Sequence, residues 1–343
     1  MSRLKDKQTR NKYQAKDDKS AYSPIMLDLQ GLIQLRYQST HLSLGSQRKA
    51  YSSLSGNYTS SFKGRGLNFD EVRPYQPGDD IRNIDWNVTA RTGMTHTKVF
   101  KEERERPVFI IVDLRKTLFF GTRHCLKSVT AAKAAALFAW AGADNSNRIG
   151  GLIFDDNCHV EMRPKGGHQG VVQFLKLLHD FHNQSIEVLQ KKQAKSNEPP
   201  IEEMDVNLLF ARMKKTIHPG SIVLFASDLH HFDTDFTLHI QYLSRHNDVI
   251  MAHIYDTFER QLPPSGLYGI SNGTQSQTLD ANDSTLQQSF AESFVQKNEL
   301  IEQFCLSNRI HLIHLATDDS VAEQFLAALG KDSSVRRVAR SRH

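Results

Sequence analysis

Val108-Phe109-Ile110-Ile111-Val112 is an unbroken apolar run. A strand that is apolar on both faces has to be covered from both sides. The pattern recurs at Arg148–Phe154, Ile222–Ala226, Val249–Ile254 and His311–Leu315. Between these runs, apolar residues at helical spacing predict helices at about 126–143, 166–178, 202–217, 234–246, 290–305 and 319–330. Cys158–Met162 reads as the hairpin partner of the run before it. Buried strands alternating with helices predict an α/β fold with a doubly wound, mostly parallel sheet over residues 107–330. Trp140 reads as core, and Lys127 and Lys133 as the outward edge of the first long helix. The polar stretch 184–200 and the stretch 257–289 read as loops.

Residues 23–106 form a different region. A helix is expected at about 25–40, loops with short strands over 44–65, and a half-buried strand in THTKVFKEE. Its densest stretch is RPYQPGDDIRNIDWNVTAR, residues 73–91. Pro77-Gly78 suits the middle of a type II turn. Three carboxylates (Asp79, Asp80, Asp85) and three guanidiniums (Arg73, Arg82, Arg91) crowd around Tyr75 and Trp86. Such a cluster reads as a self-satisfied network that stiffens a turn, as a recognition surface rich in Arg, Tyr and Trp, or as both.

The net charge of +5 is carried by the ends: residues 1–20 and 331–343 hold +4 each, which leaves the body at −3. The ends therefore read as disordered basic tails on a mildly acidic body. Three separated cysteines, Cys125, Cys158 and Cys305, form no C-x-x-C pair, which argues against a zinc site or a disulfide framework. No signal peptide opens the chain. Its longest nearly apolar run, AAALFAWAGA, is about half of the ~20 residues a membrane span needs. A cytoplasmic protein is expected.

In doubly wound folds, ligands sit at the carboxyl ends of the strands. Asp113 and Thr117 follow the first apolar strand, and Ser227 and Asp228 follow Ile222–Ala226. Two carboxylates and two hydroxyls there have the chemistry to hold Mg²⁺. No phosphate-binding loop is present, so an NTPase is not indicated. His230-His231 reads as two surface histidines, because adjacent side chains point apart.

The segment 73–91 resembles the signature of the bacterial domain-of-unknown-function family 58, with Arg73, Tyr75, Gly78, Asp79, Arg82, Asp85, Trp86, Ala90 and Arg91 at matching places. VDLRKTLFFG, Ser227-Asp228-Leu229, and Asp256, Glu259, Leu262-Pro263 and Gly266 resemble its later blocks, so the likeness runs from about residue 26 to 330. The resemblance implies a von Willebrand factor A-like fold, with a helix and a small β elaboration before it. It also implies a non-enzymatic partner of MoxR-type AAA+ ATPases, active in assembly, chaperone or stress-response work. Other von Willebrand A-domain proteins are further implied partners, with recruitment to the inner membrane through partners. Arg73, Tyr75, Gly78, Asp79, Arg82, Asp85, Trp86 and Arg91 would then form or brace a docking surface.

The metal-ion-dependent adhesion site of such domains resembles D-x-S-x-S. Here Asp113, Thr117 and Asp228 match, while Arg115 replaces the first Ser. A guanidinium there removes an oxygen ligand and repels a cation. The site is expected to be degenerate and metal-free, with Arg115 as a built-in cation that pairs with Asp113 or Asp228 or takes a partner carboxylate. If a metal binds, Asp113, Thr117 and Asp228 would hold it. The alternative from another class is a nucleic-acid-associated protein or metal-dependent nuclease, which would use Asp79, Asp80 and Asp85 for metal and the basic tails for phosphates.

Overall fold

The computed structural model describes residues 23–40, 42, 67–102, 106–194, 206–271 and 276–329. The expected tails (1–22 and 331–343) and the whole of the expected loop region 44–65 lie outside the described residues. The chain divides into two units: residues 1–46 with 107–343, and residues 47–106. At the N-terminus, Asp28 caps helix α1 (Leu29–Gln34), and α2 (Arg36–Ser39) follows, so the single helix expected at 25–40 is two short ones. Both pack on the larger unit, where the Trp140 indole donates to the Leu32 carbonyl at 3.2 Å and Arg36 lies over its ring.

The smaller unit pairs β1 (Leu67–Pro74) antiparallel with β2 (His96–Glu102), the half-buried strand expected there. Between them, the chain makes a turn at 76–79, a 3-10 turn at Ile81–Asn83 and helix α3 (Trp86–Thr92). Gly78 has φ +108°, and the Asp79 N–H reaches the Gln76 carbonyl at 3.0 Å, as the Pro77-Gly78 turn requires. Asp85 N–H bonds the His96 carbonyl, so the turns are stitched to the ribbon.

In the larger unit, β3 (Val108–Asp113), β4 (Ile149–Phe154), β5 (His159–Lys165), β6 (Ile222–Ser227), β7 (Asp248–Tyr255) and β10 (His311–Ala316) form one sheet in the order β10-β7-β6-β3-β4-β5. All neighbours are parallel except β4 and β5. Alternate residues of β3 feed two cores. Val108, Ile110 and Val112 meet helix α4 (Lys127–Asp144), while Phe109 and Ile111 belong to the core with Phe210, Phe225 and Phe236 on the other face. The sheet is therefore covered on both sides, as its apolar strands demand.

Helix α5 (Gly167–Ala194) covers β4, and a Cβ on Gly151 would collide with its Phe174 ring. It continues through 184–194, which were expected to be loop. Helices α6 (Val206–Thr216), α7 (Thr234–His246), α9 (Ser284–Ser307) and α10 (Val321–Leu329) match expected helices, with α8 (Thr257–Arg260) as one extra turn. Within the expected loop 257–289, β8 (Leu267–Ser271) and β9 (Ser276–Asp280) form a hairpin. Among the described residues, no helix is long and apolar enough to cross a membrane.

Candidate functional site

The sheet order reverses between β3 and β6, and in open α/β sheets the crevice at such a reversal is where ligands bind. Asp113 ends β3 and Asp228 follows β6, so both carboxylates stand at this point. Each is already met by a cation from the same chain.

Asp113 is fully buried. It accepts from Arg115 Nε at 3.0 Å, Arg115 Nη2 at 2.6 Å, the Arg115 backbone N–H at 3.0 Å and Ser227 Oγ at 2.7 Å. Burial alone would lower the Arg115 pKa, but the Asp113 carboxylate, with Asp228 and Asp156 behind it, outweighs burial and raises it. Arg115 thus pairs with Asp113 rather than Asp228. The guanidinium is buried, with Nε and Nη2 engaged by Asp113.

Asp228 accepts from Lys127 Nζ at 2.9 Å, and the same ammonium bonds Glu259 Oε1 at 2.6 Å. Lys127 was expected to face out, yet it is among the most buried large side chains. Helix α4 is buried along nearly its whole length, so its first turn has no outward side. Desolvation would lower the ammonium pKa, but Asp228 and Glu259 together raise it. Burial would likewise raise the Asp228 carboxyl, and Lys127 holds it below the usual range instead. Thr117 Oγ1 is buried beside Asp228 and contributes to that lowering, although it makes no hydrogen bond of ordinary geometry.

Two backbone devices aim these groups. Leu229 is buried with φ +51°, a strained conformation for a branched side chain, and its N–H is held by Ser227 Oγ at 3.0 Å. Asp256 and Glu259 form a capping box at α8, which directs Glu259 to Lys127. Asp256 also accepts from Thr122 Oγ1 at 2.5 Å and Thr317 Oγ1 at 2.8 Å, tying the strand-end loops together. The sequence missed Lys127 and the role of Glu259. A lysine opening an otherwise apolar helix was the available signal.

In the smaller unit, the three carboxylates serve the backbone. Asp79 accepts from Gln76 N–H at 2.9 Å and Arg73 Nη2 at 2.7 Å, and these bonds, the backbone one first, hold its pKa down. Asp80 caps the 3-10 turn through Arg82 N–H. Asp85 caps α3 through Asn87 and Val88 N–H, with Lys98 Nζ 3.6 Å away, and is lowered chiefly by the Val88 bond. Among the described residues, no group of three His, Cys, Asp or Glu side chains is placed to hold a metal, so these aspartates do not converge as a nuclease centre would require. Tyr75 is half-buried and held by a backbone bond to Thr95. Arg82 and Arg91 are exposed and make no ion pair among the described residues. Trp86 is 67% exposed, Ile81 66% and Met94 64%.

Elsewhere in the larger unit, His230 and His231 are exposed, as expected for surface histidines. A cavity of about 770 Å³ bordered by Tyr255, Phe294, Asn298 and His314 contains none of the four strand-end residues.

The architecture is that of an α/β protein with a mostly parallel six-stranded sheet and a strand-end site whose two aspartates meet cations of the same chain. Residues 71–300 match the family described as Protein of unknown function DUF58, and the chain belongs to that family. Two relatives are Uncharacterized protein Mb1516 of Mycobacterium bovis and Uncharacterized protein Rv1480 of Mycobacterium tuberculosis. Each is 35% identical over 128 residues, which is 37% of this chain and 40% of the relative's length. A solved structure, the conserved hypothetical protein BatB from Bacteroides thetaiotaomicron, aligns with 68% of this chain and 99% of its own, at 8% identity and a TM-score of 0.37.

Proposed function

We propose that this protein is a non-enzymatic adaptor for a MoxR-type AAA+ ATPase, with a von Willebrand A-like larger unit and the signature segment as its docking surface. The observation that carries this reading is the exposure of Trp86 on a capped, hydrogen-bonded turn with Arg82 and Arg91. Such residues dominate interface energetics, and here they are held ready on a braced scaffold. Arg73, Asp79 and Asp85 brace the surface and Arg82, Trp86 and Arg91 present it.

The von Willebrand A-like reading is supported by the sheet order, its antiparallel edge strand β5, and Asp113 and Asp228 at the reversal point. The strand-end site is then a degenerate adhesion site. Its donors do not fit a divalent ion as arranged, since Arg115 and Lys127 lie on the carboxylate oxygens that would bind it. ATP hydrolysis belongs to the partner.

The test is co-purification with the MoxR-type ATPase of the same genome, with and without ATP. Co-elution with a changed ATPase rate is expected. Clean separation in every nucleotide state would overturn the reading.

A further inference from the structure

From the charge accounting of the signature segment, we infer that its occupant is a protein surface combining acidic side chains with an apolar socket for Trp86. This rests on the docking role proposed above and adds the chemistry of the partner. In the sequence, the segment is balanced, with three carboxylates against three guanidiniums. Folding breaks that balance. Asp79 is spent on Arg73 and a backbone N–H, and Asp85 on two N–H groups and Lys98. Asp80 is folded back onto the Arg82 N–H. Among the described residues, what the segment turns to solvent is two guanidiniums without an ion-pair partner, Arg82 and Arg91, against one carboxylate, Asp80.

The geometry of α3 puts charge and indole on one face. At 100° per residue, Trp86, Ala90, Asn87 and Arg91 follow one another around the exposed side, while Val88 and Thr89 turn inwards. Ala90, between Trp86 and Arg91, leaves room for a partner to reach both. Ile81, Arg82 and Met94 flank this face in sequence and are also exposed. Two exposed aliphatic side chains add nothing to a phosphate backbone, and two guanidiniums are few for tracking one, so a protein surface fits better than nucleic acid.

The chain has two tryptophans, and Trp140 is only 2% exposed, so acrylamide quenching reports on Trp86, with Trp86→Phe as control. Three probes are compared on the full chain at about 0.15 M salt, where long-range attraction is screened. They are a Glu-rich peptide carrying Leu and Phe, a Lys-rich peptide of the same length and apolar content, and a single-stranded oligonucleotide. The Glu-rich peptide is expected to cut quenching at least twofold, the others not, and R82E/R91E should reverse the peptide preference. An acidic peptide held only by the basic tails would leave Trp86 quenchable.

Equal protection by both peptides, no protection by the Glu-rich one, or protection by the oligonucleotide alone overturns the inference. The MoxR-type ATPase forms a separate arm. If it co-elutes with R82E/R91E and with Trp86→Ala as well as with the wild type, this inference falls and the adaptor reading stands. If the Glu-rich peptide protects Trp86 and the ATPase neither protects it nor co-elutes, the surface chemistry stands and the ATPase is not its occupant.

Discussion

The strand-end site and the signature segment use the same residue types to opposite ends. At the strand ends, Asp113 and Asp228 are each paired with a buried side-chain cation, Arg115 and Lys127. In the signature segment, aspartates go mainly to backbone N–H groups, and Arg82 and Arg91 are left in solvent. The difference follows from which donors lie within reach. Asp113 and Asp228 each take a single backbone N–H, from Arg115 and His230, and, buried, they rely on side-chain donors that include a cation for the rest. Turns and helix starts carry free N–H groups, and a nearby Asp caps them. Asp and Arg close in sequence therefore do not imply Asp paired with Arg.

The comparison breaks most easily at Lys127. Lys127→Met removes the ammonium and leaves Asp228 buried beside Glu259 without its hydrogen-bonded cation. Removing one partner of a buried pair costs about 3–5 kcal/mol. Urea unfolding should show a loss of that size. A loss below about 1 kcal/mol would mean that water, and not Lys127, neutralises Asp228.

Much of the larger unit was legible because its strands are apolar on both faces, a pattern only a covered sheet satisfies. Val108–Val112 and Ile222–Ala226 placed the site as well, since Asp113 and Asp228 follow them directly. Lys127 was misread because helical spacing was assumed to leave every helix an outward face, whereas α4 is buried almost throughout. Residues 184–194 were taken as loop because they are polar, yet Glu187, Leu189, Gln190, Lys191 and Ala194 all favour helix. The β8–β9 hairpin hid in a stretch whose Gly, Ser and Asn residues also suit loops. In the signature segment, Asp85 just before Trp86 was a readable cap, obscured by the charges around it.

Acid should separate the two regions next. Burial, chiefly, pushes His182 down to about 4 and His253 to about 3. Their folded pKa values lie below the unfolded one, so the stability they contribute is whole above about pH 6.5 and is lost as pH falls towards 4. Lowering the pH from 7 to 5 should cost on the order of 2 kcal/mol per histidine in the larger unit. His182→Gln should flatten that slope, measured by denaturant melts at each pH. Asp79 and Asp85, held below 3.8, keep their charge over this range, so the signature segment contributes no such loss. An unchanged slope in His182→Gln would show that His182 is not the group responsible.

Divalent ions should do less. Millimolar Mg²⁺ or Mn²⁺ is expected to give no heat by calorimetry and no shift in Tm, because Arg115 and Lys127 hold the carboxylate oxygens. Micromolar binding that Asp113→Ala abolishes would sink the built-in-cation account and return the strand ends to metal chemistry.

Among the substitutions, the smallest effect on stability is expected at Trp86, which makes it the most informative about function. Its ring is mostly in solvent, so Trp86→Ala should change folding stability by no more than about 0.5 kcal/mol. Truncating an interface anchor of this type typically costs 2 kcal/mol or more, about a thirtyfold loss of affinity. The pair of measurements decides what kind of surface this is. Unchanged melting with lost partner binding makes Trp86 a contact residue, in contrast to the buried clasp at Lys127. A large drop in melting would make the indole part of the scaffold, and the contrast between an outward-facing signature segment and an inward-facing strand-end site would be wrong at its exposed end.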